Sequence, residues 1–356
     1  MTPLVRTPPR WTLSVLTIPK REAYLAQLLA SLGDARLPRG TVVDVVYNWD
    51  TRERPHDVVR RLRKAPRGLE VNIHFNTQRP TIGSGRIQQL NHCKTPLLAI
   101  NDDVVTVHGD LLGVLEERLQ RLPVGIVGVQ SLVEGSDRRF KPRRSTPHVD
   151  ARGFRFMPVQ GMLVAGYRRL FLDIGGFNPR REFWGEWTEF NLRMWRSGFP
   201  TGYAMNGAYP RHWEKAPESP TRNMSGREDH VMWGLLCTAL EYDAVDERED
   251  TRAFWNLVES RYLAYAFGSD APKRDLMRSA LRLAPRLSAE YPAIATFRDR
   301  VREHPFPFMP FHQFSADDVA RVLAHAETRI AEYRDDVWDS RRTRAVRWVR
   351  RQLAAV

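Results

Sequence analysis

Short β-branched apolar runs alternate with amphipathic stretches through residues 11–103, and that alternation leaves the chain few folds. Residues 11–18, WTLSVLTI, read as a buried strand stopped by Pro19. REAYLAQLLASLGDA follows, with Tyr24, Leu25, Leu28, Leu29 and Leu32 at helical spacing and Gly33 where a helix would stop. GTVVDVVYNWD predicts a second strand that breaks into polar Asn48 and Asp50. HDVVRRLRKA reads as a basic helix and LEVNIHFN as a third strand. GSGRIQQLNHC reads as a glycine turn opening a short helix, and PLLAI as a central strand. Strand, helix, strand, helix, strand in this order predicts a parallel α/β sheet with right-handed crossovers.

The central strand ends oddly. It climbs to Ile100, breaks on Asn101-Asp102-Asp103 and returns at once to Val104-Val105. Adjacent carboxylates repel, and a cation relieves the repulsion. Oxygen-only ligands at the carboxyl end of a parallel strand suit a hard divalent ion such as magnesium or manganese, and open α/β sheets bind ligands at that edge. A plain turn with helix-capping aspartates accounts for the triplet equally well.

Further on, GDLLGVLEERLQRL predicts an amphipathic helix and VGIVGVQSLV another strand, followed by a polar basic loop, EGSDRRFKPRRSTPH. Then comes IGGFNPRREFWGEWTEFNLRMWRSGFP, residues 174–200. Here Glu186 and Glu189 lie one helical turn apart, beside an aromatic cluster, with Gly198 where the helix would end. A carboxylate in that setting is a candidate general base; a capped acidic surface turn is the structural alternative. Beyond residue 225 helical patterns dominate, so the chain divides into an α/β domain over 1–225 and a helical C-terminal region over 226–356 that ends in a basic tail.

Taken in order, the opening strand, the GSGRIQQLN segment, the strand ending in NDD and the GGF…GEWTEFNLRMWRSGF block resemble the GT-A glycosyltransferases, in particular the inverting family 2 enzymes. The run DDVVTVHGDLLGVLEERLQRLPVGIVG also resembles the exostosin-type glycosyltransferases, which share that fold. The similarity extends over roughly residues 11–215. It implies a Rossmann-like nucleotide-sugar-binding domain and a metal-dependent transfer of a sugar from a nucleotide-sugar to an acceptor hydroxyl, with inversion.

The resemblance also assigns roles. Asn101, Asp102 and Asp103 match the Asp-X-Asp motif, with Asp103 as metal ligand, Asp102 shared between metal and ribose, and Asn101 standing where the first Asp faces the nucleotide. Thr17 and Arg21 match positions near the base, and Asn48 and Asp50 fall where a base-reading acid lies. Gly83, Gly85 and Arg86 match the loop under the diphosphate, and His212 falls where a further metal ligand stands. One departure matters: the acidic helix opens Glu186-Trp187 where the family has Glu-Asp with the Asp as base. Trp187 takes no proton, so Glu186 is the first choice as base and Glu189 the second.

Two rival readings use the same residues. A nucleotidyltransferase also binds nucleotides through paired acids, but LTIPKREAYL lacks the expected glycine-rich loop. A catalytically degenerate GT-A protein could serve as a nucleic-acid-binding module. Charge bears on that reading and on the acceptor. With 55 Lys and Arg against 42 Asp and Glu, the formal net charge is +13. Such an excess attracts polyanions. DNA carrying hydroxymethylated pyrimidines would account at once for the charge, the basic loop 138–144 and the tail RRTRAVRWVRRQLAAV. A lipid-linked or cell-surface glycan, reached through peripheral contact with a membrane, fits nearly as well. An Arg-rich proteome is the plain alternative. No apolar run approaches the 18 residues of a transmembrane helix, the N-terminus lacks a signal-peptide cleavage site, and two cysteines are too few for a disulfide framework. A cytoplasmic setting is therefore expected.

Overall fold

A computed structural model describes residues 10–19, 21–48, 57, 68–77, 80–133, 148–159, 163–205, 210–212, 227–242, 251–263, 273–303 and 315–338. The expected basic helix at 56–65, apart from Asp57, the basic loop at 138–144, the C-terminal tail and Asp50 lie outside them.

The expected parallel sheet forms the first half of the molecule. Strands β1 (Trp11–Thr17), β2 (Val42–Asn48), β3 (Glu70–Asn76) and β4 (Leu97–Asp102) are joined in parallel in the order β3-β2-β1-β4. All seven residues of β1 are buried, as the continuous apolar run requires of a strand covered on both faces. The sheet then changes direction. β10 (Leu163–Tyr167) runs antiparallel to β4 and also to β6 (Ile126–Val129). β11 (Thr201–Ala204), β9 (Phe154–Phe156) and β8 (Val149–Ala151) complete a nine-stranded order, β3-β2-β1-β4-β10-β6-β11-β9-β8. A small second sheet pairs β5 (Val105–Thr106) and β7 (Leu132–Val133) on either side of β12 (Arg211–His212).

Helices α1 (Glu22–Asp34), α2 (Ile82–His92), α3 (Leu111–Arg121), α4 (Arg168–Asp173) and α5 (Glu186–Arg196) pack on the sheet. Helix α1 continues through Gly33, the residue expected to end it. Near the C-terminus lie α6 (Arg227–Tyr242), α7 (Thr251–Leu257, running on as a π-helix to Leu263), α8 (Lys273–Arg302) and α9 (Ala316–Trp338).

The helices beyond residue 225 do not share one core. Met232, Trp233, Leu236 and Leu240 of α6 pack with Leu276, Leu287 and Ile294 of α8 in a cluster of their own. Val319, Val322, Ala326, Ile330 and Val337 of α9 instead join the core of the sheet. Ion pairs from Arg169 to Glu332 and Asp336 help to seat that helix. No described helix is long and apolar enough to cross a membrane.

Candidate active site

The parallel strands end together, and their register gathers the polar residues that interrupt them. Leu16 of β1 lies opposite Asp102 of β4, so Thr17 and the 101–103 turn meet at the carboxyl edge of the sheet. Thr17 Oγ1 donates to Asp103 Oδ2 at 2.7 Å, and Arg21 approaches Asp103 Oδ1 at 3.0 Å. Asp103 is 1% exposed, and its Oδ1 has no hydrogen-bond partner. Burial pushes its carboxyl up to about 7, against the opposing pull of Arg21 and Thr17.

Arg86 forms the second half of the site. Its Nη2 pairs with Asp102 Oδ1 at 2.5 Å, while Nη1 donates to Gln89 Oε1 at 2.9 Å. Gln89 Nε2 in turn donates to the Ser14 carbonyl, tying α2 to β1. The Arg86 guanidinium also lies 5.6 Å from the centre of the Trp187 ring. Each acid of the pair thus faces an arginine: Asp102 faces Arg86, and Asp103 faces Arg21.

Four residues expected at the donor make other contacts here. Gly83 and Gly85 form no loop; they sit in the first turn of α2, behind a capping box of Thr81 and Ser84. A Cβ on Gly83 would meet the Arg181 carbonyl oxygen at 2.0 Å, and one on Gly85 would meet Leu16 Cδ1 at 2.5 Å, so both glycines permit close packing. Asn48 donates to the Thr81 carbonyl at 3.0 Å and accepts from Asn76 at 2.7 Å, which commits its amide to that cap. Asn101 is fully buried, and its Nδ2 donates to the Val105 carbonyl at 2.8 Å, closing the turn instead of facing outward. The backbone of His212 is paired opposite Val105, two positions past Asp103, while its side chain lies outside the described residues.

The two candidate bases separate clearly. Gly185 turns the chain into α5 at φ 83°, a backbone angle that glycine adopts at little cost. Glu186, the first helical residue, is half-buried. Burial raises its carboxyl pKa, Arg86 opposes the rise and Asp102 adds to it, so all three groups share one local field. Glu189 is fully buried. It takes Arg193 Nε at 2.9 Å, Arg193 Nη2 at 2.8 Å and the Tyr242 hydroxyl at 2.5 Å. It faces the core and meets no solvent, so the expectation that it could act as base gives way to a structural ion pair. The i,i+4 spacing of Glu189 and Arg193 was the sequence signal for that pair.

Asp102 and Asp103 place oxygen donors side by side, one of them an acceptor with no hydrogen bond, which suits part of the shell of a hard divalent ion. Among the described residues no three His, Cys, Asp or Glu side chains converge to hold a metal. Sequence reasoning did not anticipate Gln89, which anchors Arg86, or Arg181, which lies against Gly83. Gln89 reaches Ser14, and Arg181 reaches Gly83 and Glu241, all distant in the chain.

No protein-family model matches the chain, and no curated protein matches it in sequence. Solved structures do match. GalNAc-T7 in complex with UDP, GalNAc and Mn2+ superposes with a TM-score of 0.50 at 13% identity, over 75% of this chain and 59% of that one. The 1–349 fragment of Staphylococcus aureus TarS in complex with UDP-GlcNAc also gives 0.50, at 16% identity, over 83% of this chain and 90% of that one. The chain spans 55% of the longer TarS chain. These likenesses, with the sheet described above, identify the fold as GT-A.

Proposed function

We propose that this GT-A chain is a metal-dependent glycosyltransferase that moves a sugar from a nucleotide-sugar to an acceptor hydroxyl with inversion, Glu186 acting as base. The observation that carries the reading is Arg86, which pairs with Asp102 at the carboxyl edge of the sheet and lies over Trp187, the residue next to Glu186. Asp102 and Asp103 would hold manganese or magnesium, His212 remaining the candidate for a further ligand. The metal supplies neutralisation of the leaving nucleoside diphosphate. Arg21 and Arg86 keep the two carboxylates charge-balanced in its absence. Arg86 pairs with Asp102 and lies over the ring of Trp187, the residue that follows Glu186.

A carboxyl raised by burial has the basicity to accept the acceptor's hydroxyl proton near neutral pH. The freed oxygen attacks the anomeric carbon as its bond to the diphosphate breaks, which inverts that centre. Structures with UDP-GlcNAc in TarS, and with UDP, GalNAc and Mn2+ in GalNAc-T7, are consistent with this donor class. For the acceptor, the net charge of +13 favours a polyanion, and DNA bearing hydroxymethylated pyrimidines is the first candidate ahead of a lipid-linked or cell-surface glycan. The test measures nucleoside diphosphate release from a panel of UDP- and GDP-sugars, with manganese or with chelator, and product masses with each acceptor. Manganese-dependent release is expected. No release from any donor would overturn the reading, and transfer only to glycan would overturn the DNA assignment.

A further inference from the structure

We propose that Arg181 is a positioning residue for Glu186, and that its buried pair with Glu241 makes the α6–α8 cluster part of the catalytic apparatus. The inference rests on the glycosyltransferase reading and on Glu186 as base. Arg181 is fully buried although it lies in the connection between α4 and α5. Its Nη2 meets Glu241 Oε2 at 2.5 Å and Thr238 Oγ1 at 3.0 Å, both on α6. The same Glu241 carboxylate accepts from Asn178 Nδ2 at 3.3 Å and faces Arg180 Nε at 3.5 Å. Three residues of one connection therefore converge on one acid, itself fully buried.

The other side of the connection grips the site. The Arg181 carbonyl closes on Gly83 so tightly that no Cβ fits, and the Glu182 carbonyl accepts the Gly83 amide at 2.8 Å. Gly83 lies in the first turn of the helix that carries Arg86, which faces Asp102, Trp187 and the field of Glu186. Trp184 then presses on Gly234 of α6, where a Cβ would come within 2.7 Å of the ring. Gly185 turns directly into Glu186. The clamp thus holds the segment leading to the base at Arg181 and Trp184, and also holds the helix bearing its counter-charge.

Packing alone does not call for an ion pair here. Well-packed apolar residues often replace a buried pair with no loss of stability, and Nε and Nη1 of Arg181 have no hydrogen-bond partner. What an arginine offers that an apolar residue does not is a fixed geometry towards its partner. An error of about 1 Å at a catalytic group costs on the order of a hundredfold in rate.

The experiment compares wild type, Arg181→Met/Glu241→Gln and Glu186→Gln, and the combination of all three changes, in nucleotide-sugar hydrolysis with manganese. Removing both charges together avoids leaving either one buried alone. The paired variant is expected to melt within a few degrees of wild type, to bind UDP or GDP within about threefold, and to lose roughly ten- to a hundredfold in kcat. In the Glu186→Gln background the same pair should cost less than about threefold, because a base already absent cannot be displaced. Wild-type kcat in the folded paired variant overturns the proposal. An equal loss in both backgrounds also overturns it, since Arg181 would then act elsewhere. If Glu186→Gln alone leaves turnover unchanged, the base assignment fails first and takes this proposal with it. A wild-type chain that releases no diphosphate shows instead that the glycosyltransferase reading itself has failed.

Discussion

Asp103 at the sheet edge and Glu189 under α5 are both buried carboxylates facing an arginine, yet their surroundings treat them differently. Glu189 has both oxygens occupied, and its partner Arg193 donates further to the carbonyls of Ile174 and Gly176 at 2.6 Å each. Asp103 keeps one oxygen without a hydrogen bond and a carboxyl raised to about 7. Buried polar groups in a stable core are satisfied almost without exception, so an exception calls for an explanation. Asp103 Oδ1, Asn101 Oδ1, Arg86 Nε, Arg21 Nε and Trp187 Nε1 are unmatched within the candidate site, and others such as Arg118 Nε, Arg168 Nε and Arg334 Nε are unmatched in the scaffold.

The strongest challenge to this contrast is a direct one between the two glutamates of α5. Glu186→Gln should lower kcat by about two to four orders of magnitude, the usual worth of a general base, and leave nucleotide affinity in place. Steady-state kinetics beside calorimetry with UDP or GDP measures both. Turnover near wild type would remove Glu186 from the reaction and leave the site without a base.

Glu189 should respond in stability. Glu189→Leu strands the buried Arg193 guanidinium and should cost about 3–5 kcal/mol in urea unfolding, whereas Glu189→Leu with Arg193→Leu should recover most of that. A Glu189→Leu protein as stable as wild type would mean that the pair is not the structural anchor its geometry describes.

The sequence made some of this legible and hid the rest for identifiable reasons. Strands β1 and β4 emerge within a residue or two of their expected bounds, because continuous apolar runs bounded by Pro19 and by the NDD triplet are local signals. Thr17 and Arg21, expected near the nucleotide base, bind Asp103 instead, a pairing that no local pattern announces. Helix α8 was less visible, since Pro285 and Pro292 lie inside it and proline normally ends a helical pattern. The fates of Gly83, Asn48 and Glu189 were decided by partners far along the chain: Arg181 for the glycine, Thr81 for the amide and Tyr242 for the acid. The affiliation of α9 with the sheet core was hidden in the same way, because its pattern announces an apolar face without saying what covers it.

A smaller effect separates the two acids by pH. The folded Asp103 carboxyl titrates near 7, above its ordinary 3.8, so the folded state holds a proton that the unfolded chain releases between those values. The stability this contributes is complete below about pH 4 and is lost as pH rises through 7. Asp103→Asn abolishes the titration. With chelator present, the variant should therefore gain on wild type across that window when urea midpoints are compared at several pH values. A parallel pair of stability curves would show that Asp103 is as well satisfied as Glu189.

The smallest effect tests whether Arg86 couples the two halves of the site. Burial raises the Glu186 carboxyl, Arg86 holds that rise in check, and Asp102 pushes the other way. A base must be ionised to work, so turnover should fall on the acid side as Glu186 gains its proton, at a pH above the ordinary carboxylate range. Arg86→Gln removes the restraining cation and also frees Asp102 from its partner, and both changes favour the protonated Glu186. The acid limb of kcat should then move to higher pH by about a unit or less, the scale of one charge at a partly solvated site. The same substitution should lower kcat at pH 7 and recover part of the loss at pH 8.5. An acid limb that stays fixed would mean that Arg86 belongs to Asp102 alone, and that the base and the paired acids are electrostatically separate.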